Sequence, residues 1–344
     1  MNVLKKILLS AFISVVYSVA FTQSIRINKI ELYGNRKISS TAILSYIDKK
    51  EVDSINPKFF KPDFIISTLK RNSGIKHVTV NPICCDTSNG YVLYIGVAES
   101  NAVILKHRPT PKEYFQLPNE IITAYRNFNK AVRTAVMRSE SSEEYADGYS
   151  LVKDGAAREE QIKFISFAKH KLQLIANVLK YSKHAEHRAA AAQIIAYSTD
   201  KKLIVENLLY AIEDENEDVR NNATRALSIL AGYLLEHPEI KVTIPATPFI
   251  AMLNSISWTD RNKGAMVLAQ LTQSRDSSVL SQIKKHAGPS LVEMAKWHNR
   301  EHAIFSFIIL GRIAGEDDMS LFAANFSKEW IFLLEDMIKK CDFQ

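Results

Sequence analysis

ENEDVRNNATRALSIL, residues 215–230, opens as an acidic turn and runs into a helix in which Arg220 is followed by Ala223, Leu227 and Leu230. Once, this would be an ordinary helix start; the chain repeats the frame four times. Aligned on arginine, the frames place Arg188 with Ala191, Arg220 with Ala223, Arg261 with Gly264 and Arg300 with Ala303. Seven residues after each arginine stand Ile195, Leu227, Leu268 and Phe307, and ten after it Ser198, Leu230, Leu271 and Leu310. The arginines are 32, 41 and 39 residues apart, within or just below the range of two-helix solenoid repeats. A small residue at the third position lets neighbouring helices approach closely, and the larger apolar residues face a shared core. Each frame is therefore expected to be the inner helix of a stacked pair. First helices are expected at 162–181, 202–212, 248–256 and 279–297, the last kinked or split at Gly288-Pro289.

This pattern resembles HEAT repeats over residues 162–314, and the all-α solenoid is taken as 162–344. Residues 119–161 form an N-terminal helical cap or a divergent repeat. In HEAT repeats an acid just before the arginine forms a ladder along the stack. Glu186, Asp218 and Asp260 stand in or near that position here, and Asn299 replaces the acid in the last frame. Some HEAT-type proteins are enzymes or nucleic-acid binders, including bilin lyases and a family of DNA glycosylases, which are the rival readings.

Upstream lies a different pattern. Ile25, Ile27, Ile30 and Leu32 form a strand with one slip of phase, ending at Gly34-Asn35. Ser39 to Thr41 offer caps for a helix faced by Ile43, Leu44 and Ile47, and a second helix fits 63–70. Val78 and Val80 mark one further strand, and Tyr91, Leu93, Ile95 and Val97 line one face of another, with 86–90 as the hairpin loop. The order β-α-α-β-β, with Gly34, Asn35, Gly74, Val78, Val80 and Glu99 in place, resembles a POTRA domain over residues 25–99. The expected fold class is thus an α+β POTRA-like domain, residues 21–106, followed by a HEAT-type solenoid. The resemblance implies that the small sheet takes an extended segment of a partner protein by edge pairing, with Val78, Val80, Leu93 and Ile95 as core or contact positions.

The first 20 residues read as a signal peptide: Lys5 and Lys6, an apolar run from Ile7 to Phe21, then Ser18 and Ala20 near its end. The run is shorter than the roughly 20 residues that span a hydrocarbon core, so export to the periplasm or cell envelope is expected. Membrane association would come only through partners or an uncleaved leader. The charge of +7 is local. Residues 21–106 hold 12 basic against 7 acidic residues, and from His107 onward the count is 30 against 30. A phosphate-tracking groove needs a basic excess, so nucleic acid is not the expected partner. Three cysteines, Cys84, Cys85 and Cys341, make no disulfide framework; packing thiols are expected, with a strained vicinal disulfide between Cys84 and Cys85 as the alternative in an oxidising compartment.

Chemical motifs are sparse. There is no phosphate loop, no dinucleotide fingerprint and no nucleophile elbow. His298 with His302, and His184 with His187, have helical spacings that suit a metal, but solvated loop and helix histidines are the simpler reading. No cofactor is expected. Three prolines between Arg108 and Pro118 mark a linker at 107–118. The expectation is a non-enzymatic adaptor that binds one or more proteins, with Arg188, Ala191, Arg220, Ala223, Arg261, Gly264, Arg300 and Ala303 defining its repeats.

Overall fold

The computed structural model describes residues 25–343 apart from 48–53, 56–61, 72–73, 85–89 and positions 101, 103, 139 and 326. The leader expected at 1–20, Cys85 and most of the 86–90 loop lie outside the described residues. The architecture is mixed, with a small sheet and many helices. It divides into two compact units: one of residues 106–247 and 266–274, the other of the described residues up to Leu105 with 248–265 and 275–343.

The sheet-bearing unit begins with β1 (Ile25–Tyr33), α1 (Ser40–Leu44), β2 (Ser54–Ile55), α2 (Pro62–Lys70), β3 (Ile75–Cys84) and β4 (Tyr91–Glu99). Strand order is β2-β1-β4-β3, with β1 parallel and β3 antiparallel to β4. The slip of phase in β1 is a register shift between Ile27 and Lys29, where one extra residue re-aims the side chains. Ser39 caps α1 by accepting from the Ala42 amide. Ile43, Ile65 and Leu69 from the helices meet Val78, Leu93, Ile95 and Val97 in one apolar core. Leu93 and Ile95 are therefore core residues. Cys84 is disulfide-bonded, which corrects the packing-thiol expectation there, while Cys341 is a buried free thiol.

The helical unit contains α3 (Asn119–Met137), β5 (Glu143–Ala146), β6 (Tyr149–Val152), α4 (Gly155–His170), α5 (Leu172–Tyr181), α6 (Ala185–Ile195), α7 (Lys201–Ala211) and α8 (Glu217–Glu236). The helix expected over 162–181 is two helices. Lys171 leaves the helical region at φ −129, ψ 23, and a new apolar stripe of Ile175, Val178 and Leu179 starts beyond it. The segment before α4 is a β-hairpin whose turn, Asp147-Gly148, has positive φ at both residues, the backbone twist that two-residue hairpins require. It is stitched down by Gln161, which accepts from the Val152 amide at 2.7 Å and donates to the Ser150 carbonyl at 3.0 Å, and by an ion pair of Arg225 with Glu143. Residues 107–118 lie along this unit as a strap. The Arg108 amide donates to the Glu213 carbonyl at 2.6 Å, and the Glu113 carbonyl accepts from the Lys183 amide at 2.8 Å.

The remaining elements are α9 (Thr247–Met252), α10 (Trp258–Leu271), α11 (Ser277–Ala295), α12 (Arg300–Ala314), α13 (Asp318–Asn325) and α14 (Trp330–Cys341). α11 runs through Pro289 as one helix, so it is not split at Gly288-Pro289. Within the sheet-bearing unit, residues of these helices and their turns cover the second face of the sheet. Val92, Tyr94 and Ala98 are all buried, and the near-continuous apolar run of β4 is what a strand covered on both faces requires. At Gly96 the covering turn comes so close that a Cβ would lie 2.0 Å from the Ile256 carbonyl oxygen. Tyr33 and Thr79 donate their hydroxyls to that same oxygen.

Candidate interaction surfaces

The four repeat arginines begin helices, and side chains on a helix lean toward its N-terminus. Their guanidinium groups therefore reach back into the preceding turn. Arg188 Nη1 donates to the Ser182 carbonyl at 2.9 Å, Arg220 Nη1 to the Asp214 carbonyl at 2.9 Å, and Arg261 Nε to the Ser255 carbonyl at 2.6 Å. In each case the acceptor is six residues earlier, in the connection between first and second helix, where carbonyls have no intrahelical partner. Arg300 differs, donating to the carbonyls of Asn325 and Ser327 at 3.2 and 2.9 Å.

The acids that pair with Arg188 and Arg261 are not the expected ones. Arg188 makes a buried bidentate pair with Asp214 at 2.7 and 2.8 Å, and Arg261 pairs with Glu293 at 2.7 Å. Glu186 pairs instead with Arg126, at 2.6 and 2.7 Å, and that bond holds its carboxyl below the ordinary value. The geometry explains the change. An arginine aimed back at the preceding turn meets an acid from a neighbouring element, while Glu186 turns to Arg126 and Asp260 accepts from the Ser255 hydroxyl. The small residues sit as the spacing requires: Ala191, Ala223 and Ala303 are fully buried, and a Cβ on Gly264 would lie 2.9 Å from Met252 Cβ. Ile195, Leu227, Leu268 and Phe307 are also fully buried.

The two histidine pairs have structural partners. His302 Nδ1 is 2.8 Å from the Tyr94 hydroxyl, in a cluster where the Tyr94 ring lies 5.4 Å from Trp258 and 5.0 Å from Trp297. Burial, with Lys263 nearby, pushes the His302 imidazole down to about 3, so it is neutral and shares a hydrogen bond with the Tyr94 hydroxyl. His298 donates its backbone amide to Glu31 at 2.8 Å. His187 Nδ1 accepts from the Leu117 amide at 2.9 Å, and His184 Nε2 is 3.0 Å from Gln116 Nε2, so both imidazoles tie the strap. Among the described residues no group of three or more His, Cys, Asp or Glu side chains is placed to hold a metal ion.

With both faces of the sheet covered, what the sheet can offer a partner is backbone at its edge. β3 is the last strand on its side. A register shift at Ile75 to His77 leaves exposed Lys76 bulged, and Pro82 has no amide to give; charge, bulge and proline all discourage indiscriminate pairing. The usable length is 77–81. Val78 is buried and Val80 half-buried against the core, so any specificity at this edge comes from the alternate positions. The turn after β1 is fixed by Glu99, whose Oε1 accepts the amides of Arg36, Lys37 and Ile38 at 2.8, 2.8 and 2.9 Å. Burial raises this carboxyl, and the three amides outweigh it, leaving it below the ordinary value.

No family model, no curated protein and no solved structure matches the chain. No helix among the described residues is long and apolar enough to cross a membrane.

Proposed function

We propose that this chain is an exported, non-enzymatic protein-interaction scaffold of the cell envelope, with a POTRA-like sheet that takes an extended segment and a HEAT-type solenoid that binds a protein partner. The observation that carries the reading is the recurrent arginine clamp. Three times, an arginine at the start of a second helix closes on the carbonyl six residues before it, as expected where one supersecondary unit is repeated to build an extended surface. The β-α-β-α-β-β order, which adds the short strand β2 between the helices of the expected pattern, and the guarded edge at β3 support the role of the sheet, because strand addition needs an open edge and gains affinity from backbone hydrogen bonds.

A photoreactive amino acid at Lys76, exposed on β3, tests the reading in the cell of origin. The expected result is a discrete protein adduct on the full chain that disappears when His77 to Asn81 are replaced to block pairing. Adducts only to nucleic acid, or turnover of a small molecule that survives loss of the edge, would contradict it.

A further inference from the structure

The strap at 107–118 carries side chains that its own packing does not use. Leu117 is buried, but Tyr114 is 73% exposed and Phe115 36%, and Tyr181 at the end of α5 is 43% exposed. These rings form one surface. Phe115 and Tyr181 have centroids 6.0 Å apart, Tyr114 meets the edge of His184 at 5.1 Å, and Lys183 Nζ stands 3.6 Å above the Tyr114 ring. All belong to the helical unit. Aromatic rings held open to water by a backbone that is itself pinned at both ends lose little entropy on binding, and aromatic residues are enriched where interfaces concentrate their energy.

The exposed charge beside the rings is mostly positive. Lys112 precedes Tyr114 on the strap and Lys183 stacks on its ring, and neither has an ion pair among the described residues, whereas Glu186 is taken by Arg126. Glu113 is the one exposed acid of the strap beside them. A cation stacked on a ring, with Lys112 on the same strap, complements a chain of carboxylates interspersed with aliphatic or proline side chains that lie on the rings. Nucleic acid is the poorer match: residues from His107 onward carry equal numbers of acids and bases, with no basic track along which phosphates would run.

We propose that the strap surface formed by Tyr114, Phe115, Tyr181, Lys112 and Lys183 is a docking site for an extended acidic protein segment. This rests on the scaffold reading and names the chemistry of one partner of the helical unit. The test is fluorescence anisotropy of the full chain with a labelled peptide that alternates Glu-Leu-Asp-Pro, beside a peptide with lysine in place of both acids and a labelled oligothymidine. The acidic peptide is expected to bind, to weaken as salt is raised, and to lose about five- to tenfold in affinity with Tyr114→Ala and with Lys183→Glu. Both residues are exposed, and thermal melts of the variants should match the parent.

Equal binding of acidic and lysine peptides, or acidic-peptide affinity unchanged in both variants, would overturn the proposal. Tighter binding of oligothymidine that falls with the same substitutions would overturn it in favour of a single-stranded nucleic-acid surface. The adduct at Lys76 separates the two readings. If it forms while the acidic peptide fails to bind, the scaffold stands and the strap site falls; if neither is seen, both fall.

Discussion

Replacing Asp214 by alanine removes the carboxylate that pairs with the buried Arg188 guanidinium. The side chains of the pair are 1% and 4% exposed, with nitrogen–oxygen distances of 2.7 and 2.8 Å. Asp214 also accepts the Asn216 amide at 2.8 Å, so the substitution strips the turn that starts α8 as well. A charge left uncompensated in such a place costs roughly 3–5 kcal/mol. For a unit of this size that is a fall in melting temperature of about 6–20 °C. The double variant Arg188→Met with Asp214→Leu should be less destabilised than Asp214→Ala alone, because no lone charge remains. Whole-chain unfolding mixes two units, so the probe must be local. All three tryptophans, Trp258, Trp297 and Trp330, belong to the sheet-bearing unit; their fluorescence reports that unit, and hydrogen exchange in α6 and α7 reports the other. The expected result is lost protection in α6 and α7 at a temperature where tryptophan emission is still native. A cost below about 1 kcal/mol, the value of an exposed pair, would refute the claim that the clamp holds the repeat together.

Three further outcomes follow from the same geometry. Gly264→Ala and Ala223→Leu should each cost about 1–3 kcal/mol by overpacking, seen in the melting temperature; an unchanged value for both would count against close helix contact at the third position. Glu99→Gln should cost roughly 1–3 kcal/mol, because three amides lose a charged acceptor, and the loss should appear as faster exchange of the amides of Arg36 to Ile38. For His302 the folded value is about 3 against an ordinary 6.5, so the unfolded chain takes up a proton first as pH falls. The stability this residue preserves is whole above pH 6.5 and declines by at most about 1.4 kcal/mol per pH unit down to about pH 3. His302→Gln should flatten that slope in tryptophan-detected denaturation, and an equally steep slope in the variant would place the acid sensitivity elsewhere.

Local patterns in the sequence foretold local structure. The alternation of Leu93, Ile95 and Val97 gave the core face of β4, and the third and seventh positions after each arginine gave buried helix contacts, because both depend only on side-chain period. What was missed depends on neighbours distant in sequence. The second buried face of the sheet required Val92, Tyr94, Gly96 and Ala98 to be weighed together with the first set; the unbroken apolar run was the available signal. The partner of Arg188 lies 26 residues away at Asp214, and spacing within one frame contains no information about it. Asp147-Gly148 between alternating residues was a legible hairpin turn. The prolines of 107–118 suggested a linker because they reveal only the loss of regular structure, whereas the strap is held by Arg108, Glu113 and Leu117 through groups on other elements.

The most direct test of the scaffold reading is crosslinking in the cell of origin with the C-terminally tagged full chain, reading the attached chains and the N-terminus of the tagged protein together by mass spectrometry. The account expects a mature chain starting near Phe21 with envelope proteins attached. A chain that keeps Met1 and is attached to cytosolic proteins or nucleic acid would contradict it.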